Sequence, residues 1–275
     1  MNKDRTKGML WGLVVGDCLG SPIQFKDKDD HPWITEMEPC AKFRVPAGYW
    51  TDDSSMAMCI MESFTRLGKY DRKDIADNFV RWFYHGFLSS KDVAFDVGGA
   101  TADACRAIRK TGSLVNGRES SQGNGSIMRF APSYLLANGD RSIMYAISDL
   151  THSSKAIHKV IDRMAGILDQ HLLGVKTDGL SAYKTRDEVD NSGWAVSTLE
   201  AALWAFNTTS SFEEGMIAAV NLGGDSDTIG AVYGQLAGAY YGFAAIPERW
   251  VKAVKTWEQV DQLIEEFAGK LLKVV

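Results

Sequence analysis

Two short segments of the chain concentrate oxygen donors just ahead of apolar residues at helical spacing. The first runs Gly48-Tyr49-Trp50-Thr51-Asp52-Asp53-Ser54-Ser55-Met56 and leads into Met58, Ile60 and Phe64; the second runs Asn221-Leu222-Gly223-Gly224-Asp225-Ser226-Asp227-Thr228. Asp, Ser and Thr at such places are ordinary helix caps, their oxygens accepting from the first free backbone N–H groups. One cap is enough for a helix, and each segment offers several in succession. The Gly-Gly pair before Asp225 also suits a tight turn that gathers oxygens at a helix N-terminus. Together the segments supply the carboxylates of Asp52, Asp53, Asp225 and Asp227 and the hydroxyls of Thr51 and Thr228. Crowded carboxylates repel and raise one another's pKa values unless a cation neutralises them. Hard oxygen donors select magnesium, manganese or calcium over zinc or copper, and no HExxH or Cys/His spacing competes. Two ions sharing such carboxylates could hold a diol, lower the pKa of water and steady an oxyanion, which is hydrolytic chemistry. Residue types alone admit phosphoester and glycosidic bonds equally.

A third segment, Gln122-Gly123-Asn124-Gly125-Ser126-Ile127-Met128-Arg129, precedes another helical run. Glycines before a helix expose backbone N–H groups to an anion, and the helix dipole adds to the attraction. The GxxxxGK[ST] spacing of a P-loop is missing, so a plain Gly-Asn turn and a phosphate loop both remain open. Asp96, in Phe95-Asp96-Val97-Gly98, and His152, in Thr151-His152-Ser153-Ser154, also stand where helices begin and have the chemistry for proton transfer or ligand contact. A lone capping Asp or a packed His is the plainer account of each.

The elements that must position these groups are helical. Apolar residues recur at helical spacing in Ile75, Phe79, Trp82 and Phe83 and again in Leu199, Ala202, Leu203 and Phe206, while alternating strand patterns are scarce. The spacing predicts an all-α chain with helices near 5–20, 54–67, 72–88, 96–110, 125–138, 141–149, 153–173, 194–207, 212–221, 227–243 and 257–272. The longest loops are then 21–50, 111–124 and 174–192. Gly8, Gly12, Gly16 and Gly20 repeat every four residues, as do Gly230, Gly234, Gly238 and Gly242. Each interior glycine costs a helix roughly 1 kcal/mol relative to alanine, so two such stripes require tertiary compensation. Glycines four apart share a helix face that another backbone can approach closely, which places both helices at the centre of the packing.

The 275 residues carry no linker composition, and one domain spanning 1–275 is expected. A hydrophobic share of 45% and a charged share of 24% are those of a globular protein that buries a core. Net charge −5 and a pI near 5.6 give no bulk attraction to nucleic acid or an anionic membrane. Cys18, Cys40, Cys59 and Cys105 are far apart, without CxxC pairs, and read as reduced thiols. The N-terminal Lys3, Arg5 and Lys7 before Met9 to Val15 faintly resemble a signal peptide, but Asp4 and Asp17 interrupt the pattern, so a cytoplasmic location is expected. The uncharged stretch from Ile229 to Ile246 has membrane-spanning length, yet its glutamine, tyrosines and glycines favour a buried helix.

Taken together, these segments resemble the ADP-ribosylglycohydrolase family, which includes dinitrogenase reductase-activating glycohydrolase and the ADP-ribosyl-acceptor hydrolases. The resemblance runs in order through Gly16-Asp17-Cys18-Leu19-Gly20-Ser21-Pro22, Trp50 to Ser54, Phe95 to Gly98, Gly123 to Arg129, Thr151-His152, Trp194 to Phe206 and Asn221 to Gly242. It implies an all-α fold with two magnesium or manganese ions in a central cleft, held by Thr51, Asp52, Asp53, Asp225, Asp227 and Thr228. It further implies that the diphosphate of an ADP-ribose-bearing substrate, most simply a modified protein, meets Asn124, Gly125 and Ser126. Water would attack the anomeric carbon while a carboxylate, Asp53 or Asp96, manages protons; His152 and Trp194 are the weaker candidates for the adenosine side. Arginine is the first expected acceptor, with serine, nucleic acid or a small conjugate as alternatives. One residue departs from the family pattern: Gln24 stands where a glutamate is usual. A glutamine can hydrogen-bond but cannot act as a carboxylate base, so a weak or silent ADP-ribose-binding relative is the alternative to an active hydrolase.

Overall fold

A computed structural model describes residues 2–274 and bears out the all-α expectation. Twelve α-helices follow one another among these residues: α1 (Lys3–Gly20), α2 (Asp52–Leu67), α3 (Arg72–His85), α4 (Gly99–Thr111), α5 (Phe130–Ala137), α6 (Arg141–Ser148), α7 (Lys155–Leu172), α8 (Ala195–Thr208), α9 (Phe212–Val220), α10 (Ser226–Tyr241), α11 (Glu248–Ala253) and α12 (Trp257–Val274). The only β-pairings among the described residues are isolated bridges, Cys40 with Val45 and Gly123 with Trp194. Most helices begin and end where local chemistry dictates. Asp71 caps α3 by accepting from the Asp74 N–H, Ser154 caps α7 by accepting from Ile157, and Ser211 caps α9 by accepting from Glu214. Left-handed Gly68, Gly86 and Gly112 close α2, α3 and α4.

The two glycine stripes pack against each other. A Cβ added to Gly12 would lie 2.1 Å from the Gly234 carbonyl oxygen, one on Gly16 would lie 2.1 Å from that of Gly230, and one on Gly8 would lie 2.5 Å from that of Gly238. The pairing is antiparallel and leaves room only for hydrogen. Its register brings the C-terminal end of α1, with Asp17 and Gly20, against the N-terminal end of α10, with Asp225 and Asp227. The Ser226 hydroxyl closes this junction by donating to the Gly20 carbonyl at 2.8 Å. The helix pair is buried inside α2, α5, α7, α8, α9 and α12, in one continuous apolar core that includes Trp11, Trp82 and Trp250.

The stretch from Ile229 to Ile246 is therefore an interior helix and its continuation, and no helix among the described residues is long and apolar enough to cross a membrane. Gln235, inside α10, is fully buried and fully employed: its oxygen accepts from the Ala131 N–H at 2.7 Å and its amide donates to the carbonyls of Met128 and Ile127. These bonds fasten the end of the Gly123–Arg129 segment to the centre of the molecule.

Three helix boundaries differ from expectation by three residues or more, the first being the end of α3 at His85 rather than 88, where left-handed Gly86 stops it. Helix α5 starts at Phe130 rather than 125, because the Asn124 carbonyl accepts from both Ile127 and Met128 and winds 123–129 into a turn. Helix α4 starts at Gly99 rather than 96, since Asp96 sits at φ 56°, outside helical space. The six-residue α11 was not anticipated; it is too short to display a period.

Candidate active site

Neither acidic segment caps its helix through its N-cap side chain, although Asp227 takes one first-turn N–H, that of Thr228 at 2.9 Å. Thr51 is the N-cap residue of α2 and Asp225 that of α10, and neither makes a side-chain cap bond. At α2 the task falls to Asp17, from the end of α1. Its carboxylate accepts from the Thr51 N–H and hydroxyl at 2.9 Å each, from the Ser54 N–H at 3.0 Å and from the Ser54 hydroxyl at 2.6 Å. Burial raises the Asp17 carboxyl to about 6 even against the bonds from Ser54 and Thr51, which act to lower it. An acidic residue 34 positions away thus fixes the turn and frees Asp52 and Asp53 for other work.

Asp52, Asp225, Asp227 and Thr228 line a cleft of about 420 Å³ together with Asp96 and, across from them, Asn124, Gly125 and His152. Thr51 and Asp53 stand directly behind this wall, both fully buried. The Asp53 Oδ2 lies 3.4 Å from the Thr51 hydroxyl and 3.5 Å from that of Thr228, so the two segments meet at this carboxylate. Its other oxygen, Oδ1, is buried without a hydrogen-bond partner. Burial raises the carboxyls of Asp52, Asp53 and Asp227 well above the ordinary range, and their negative neighbours push them further: Asp96 acts on Asp52 and Asp227, and Asp17 and Asp52 act on Asp53. Among the described residues no three acidic, His or Cys side chains converge on a single point. The donor set is completed by threonine hydroxyls, and an orphaned carboxylate oxygen among mutually repelling carboxylates suits a hard divalent cation.

Gln24 holds the acidic wall together. It follows a 3₁₀ turn, Ser21–Ile23, and is buried, with its amide nitrogen donating to the Asp96 carboxylate at 2.6 Å and also to that of Asp227. One amide therefore ties two acids that would otherwise repel, a role closed to a glutamate, which has no N–H to donate. The Gln24 carbonyl oxygen has no partner.

On the facing wall the Asn124 amide donates to the Thr198 hydroxyl at 2.9 Å and to Asp225 at 2.5 Å, which ties the glycine loop to the acidic wall. Gly125 lies flat on the His152 imidazole, where a Cβ would come within 2.6 Å of the ring. Ser126 is buried and its hydroxyl is unpartnered. Trp194, expected on the adenosine side, is not brought into the cleft. Its side chain is 52% exposed against Ile157 and Val160 in a separate small pocket, and its contribution to the glycine loop is the backbone bridge to Gly123.

Two groups that sequence spacing did not single out support this wall: Thr198, just named, and Arg129. The latter is fully buried and forms no ion pair among the described residues. Its guanidinium donates to the Gly125 carbonyl and, at 2.6 Å, to the Thr151 hydroxyl, and it lies 4.9 Å from the Phe79 ring centroid. Burial lowers its pKa to about 10, which leaves it charged at neutral pH. The Thr151 hydroxyl accepts from Arg129 and keeps its one proton available for His152 Nδ1, 2.7 Å away; with that proton donated there, the imidazole carries its own on Nε2. Burial, assisted by the Arg129 charge, lowers His152 to about 3, so the ring is neutral and offers one N–H to the cleft.

The profile described as ADP-ribosylglycohydrolase matches residues 1–274, nearly the full chain. The chain belongs to the ADP-ribosylglycohydrolase family. This is a family of metal-dependent glycosidic-bond hydrolases, and the chain is an enzyme of that class. It is 34% identical to ADP-ribosylarginine hydrolase Tri1 of Pseudomonas putida (strain GB-1), over 98% of this chain and 80% of the relative. It is 30% identical to the ADP-ribosyl-[dinitrogen reductase] glycohydrolase of Rhodospirillum rubrum, over 90% of this chain and 89% of that one. A solved structure titled "ADP-ribosylglycohydrolase-related protein complex" superposes with a TM-score of 0.84 at 36% identity, covering 98% of both chains.

Proposed function

We propose that this ADP-ribosylglycohydrolase cleaves the bond between ADP-ribose and an arginine side chain of a modified protein, using two magnesium or manganese ions. The observation that carries the reading is the cleft itself: crowded acids on one wall, Asn124 and Gly125 of the glycine loop on the other. Arginine as acceptor rests on the relatives whose names state arginine-linked ADP-ribose. Thr51, Asp52, Asp53, Asp225, Asp227 and Thr228 would hold the ions. When bound, such ions neutralise the acidic wall, orient ribose hydroxyls and make water more acidic.

The chain's own groups do the rest. The Gly125 backbone N–H and the His152 Nε2–H line the cleft beside Asn124 as donors for the diphosphate, with Ser126 buried behind them. Hydrolysis forms a bond from water oxygen to the anomeric carbon and breaks the bond from that carbon to the guanidine nitrogen. Asp96 takes the proton from water, since it lines the cleft whereas Asp53 stands behind it, and that proton passes on to the departing guanidine nitrogen, which returns Asp96 to its carboxylate. Gln24 keeps Asp96 aimed but cannot share its base function. Four free, buried cysteines suit a reducing cytoplasm.

The test is to incubate the protein with arginine-, serine- and nucleic-acid-linked ADP-ribose, with and without Mn²⁺, and to follow product mass. Release of ADP-ribose from the arginine conjugate is expected, abolished by chelator and lowered at least 100-fold in Asp53→Ala and Asp227→Ala. Full turnover in chelator-treated protein would defeat the metal assignment.

A further inference from the structure

The mouth of the cleft carries an aromatic face for which the reaction as described has no use. Phe25 follows Gln24 and lines the cleft on the side of Asp96 and Asp227, with its side chain 59% exposed. Its φ is 64°, a left-handed conformation that is unfavourable for a bulky residue, and its N–H is fastened to the Gly224 carbonyl. Such strain persists only where the surroundings enforce it, and here they present an apolar ring to solvent at the entrance of a polar cleft.

A cation already occupies that ring. The Lys42 ammonium lies 3.1 Å from the Phe25 centroid and 5.2 Å from that of Phe43, and Phe43 packs on Phe95 at 5.2 Å. Lys42 forms no ion pair among the described residues, so its placement reflects the rings and the nearby acids. The site therefore has both components of a cation subsite, an aromatic face and, along the same wall, the Asp96 carboxylate.

We infer that Phe25 is the acceptor-side platform of the enzyme: the guanidinium of the modified arginine stacks on its ring beside Asp96, displacing Lys42. The inference rests on the arginine reading above. A guanidinium is planar and weakly hydrated and stacks on an aromatic face, whereas a lysine ammonium is strongly hydrated and returns readily to water. Lys42 thus acts as a resident cation that a guanidinium replaces and a neutral acceptor does not.

The test uses the whole chain with Mn²⁺ and ADP-ribose, titrated with ethylguanidine or, as the neutral isostere, ethylurea, and read by NMR line shifts. Ethylguanidine should bind and ethylurea should not. Phe25→Leu should weaken ethylguanidine at least tenfold, whereas Lys42→Met should strengthen it three- to tenfold by removing the competitor. In turnover, Phe25→Leu should lower kcat/KM for the arginine conjugate about tenfold relative to the serine conjugate, and Phe25→Tyr should restore the ratio. Equal affinity of wild type and Phe25→Leu, or weaker binding by Lys42→Met, overturns the platform even if arginine conjugates are hydrolysed. Phe25-dependent ethylguanidine binding without hydrolysis of arginine conjugates upholds the guanidinium site and defeats the substrate reading instead.

Discussion

Gln24 shows how a single functional group can change what a wall of carboxylates needs. Its amide donates to Asp96 and Asp227, so the acids are held together partly by neutral hydrogen bonds. Gln24→Glu replaces a donor by a third negative charge. In metal-free protein this should lower stability by about 1–3 kcal/mol, the range for leaving buried polar groups unsatisfied. Mn²⁺ should close that gap, because a cation relieves the added repulsion, and turnover should rise at least tenfold if a second carboxylate base is what the native sequence lacks. Thermal unfolding with and without Mn²⁺, beside a turnover assay, separates the two effects. Asp17 acts at the same scale from outside the cleft. Asp17→Asn keeps the shape but loses the charge and part of the acceptor capacity facing Thr51 and Ser54, and should cost about 2 kcal/mol, as for hydrogen bonds to a charged group. It should also weaken Mn²⁺ binding measured by calorimetry, although Asp17 is not among the assigned ligands; unchanged affinity would show that the turn does not depend on this cap.

At the scale of elements, the α1 and α10 pair decides where the site forms. By helix propensity alone, Gly234→Ala should stabilise the protein by roughly 1 kcal/mol. Packing reverses the sign, since the added methyl would lie 1.9 Å from the Gly12 carbonyl oxygen, a backbone atom that cannot swing aside. We expect a net loss on the order of 3 kcal/mol, at the upper end of overpacking costs, and a weaker metal site, because the same register sets Asp17 and Gln24 against Asp227. Gly269→Ala in α12, where the added carbon meets nothing within 4 Å, is the matched control and should be neutral or stabilising. Chemical denaturation of both variants checks the pair.

For the whole molecule, buried histidines make stability depend on pH. His171 in α7 is fully buried, its Nδ1–H donating to the Leu236 carbonyl and its Nε2 paired with the Thr177 hydroxyl, which donates to it when the ring is neutral. Burial lowers its pKa from 6.5 to about 4. The unfolded chain therefore binds this proton first on acidification: the contribution is complete above pH 6.5 and is lost as pH falls towards 4. By linkage His171 alone should remove about 2 kcal/mol between pH 7 and pH 5. His171→Gln can make both hydrogen bonds without titrating, so its urea midpoint should fall less than that of wild type over this interval. An equal fall would assign the acid sensitivity to other groups.

Much of this could be read from residue order. Helical periods located most of the helices, the glycine stripes marked two central ones, and the acidic pairs with the Gly-Asn-Gly loop marked the family and the cleft, because each signal is carried by residues within a turn or two of one another. Other features depend on contacts between distant parts of the chain, which spacing does not encode. Asp52 and Asp53 were indistinguishable from helix caps until Asp17, from another helix, was found to do the capping. The two stripes revealed their antiparallel register only on meeting each other. Arg129 closes the Gly-Asn-Gly segment with no signal of its own in the sequence, and only its burial shows it bonded to Gly125 and to Thr151, which pairs with His152. Conversely, Trp194 meets the glycine loop in space through its backbone bridge to Gly123, yet its ring lies in a separate pocket rather than in the cleft. Sequence determined which donors exist and which helices carry them; tertiary packing decided which were relieved of structural duty, because that depends on partners 34 to 206 positions away.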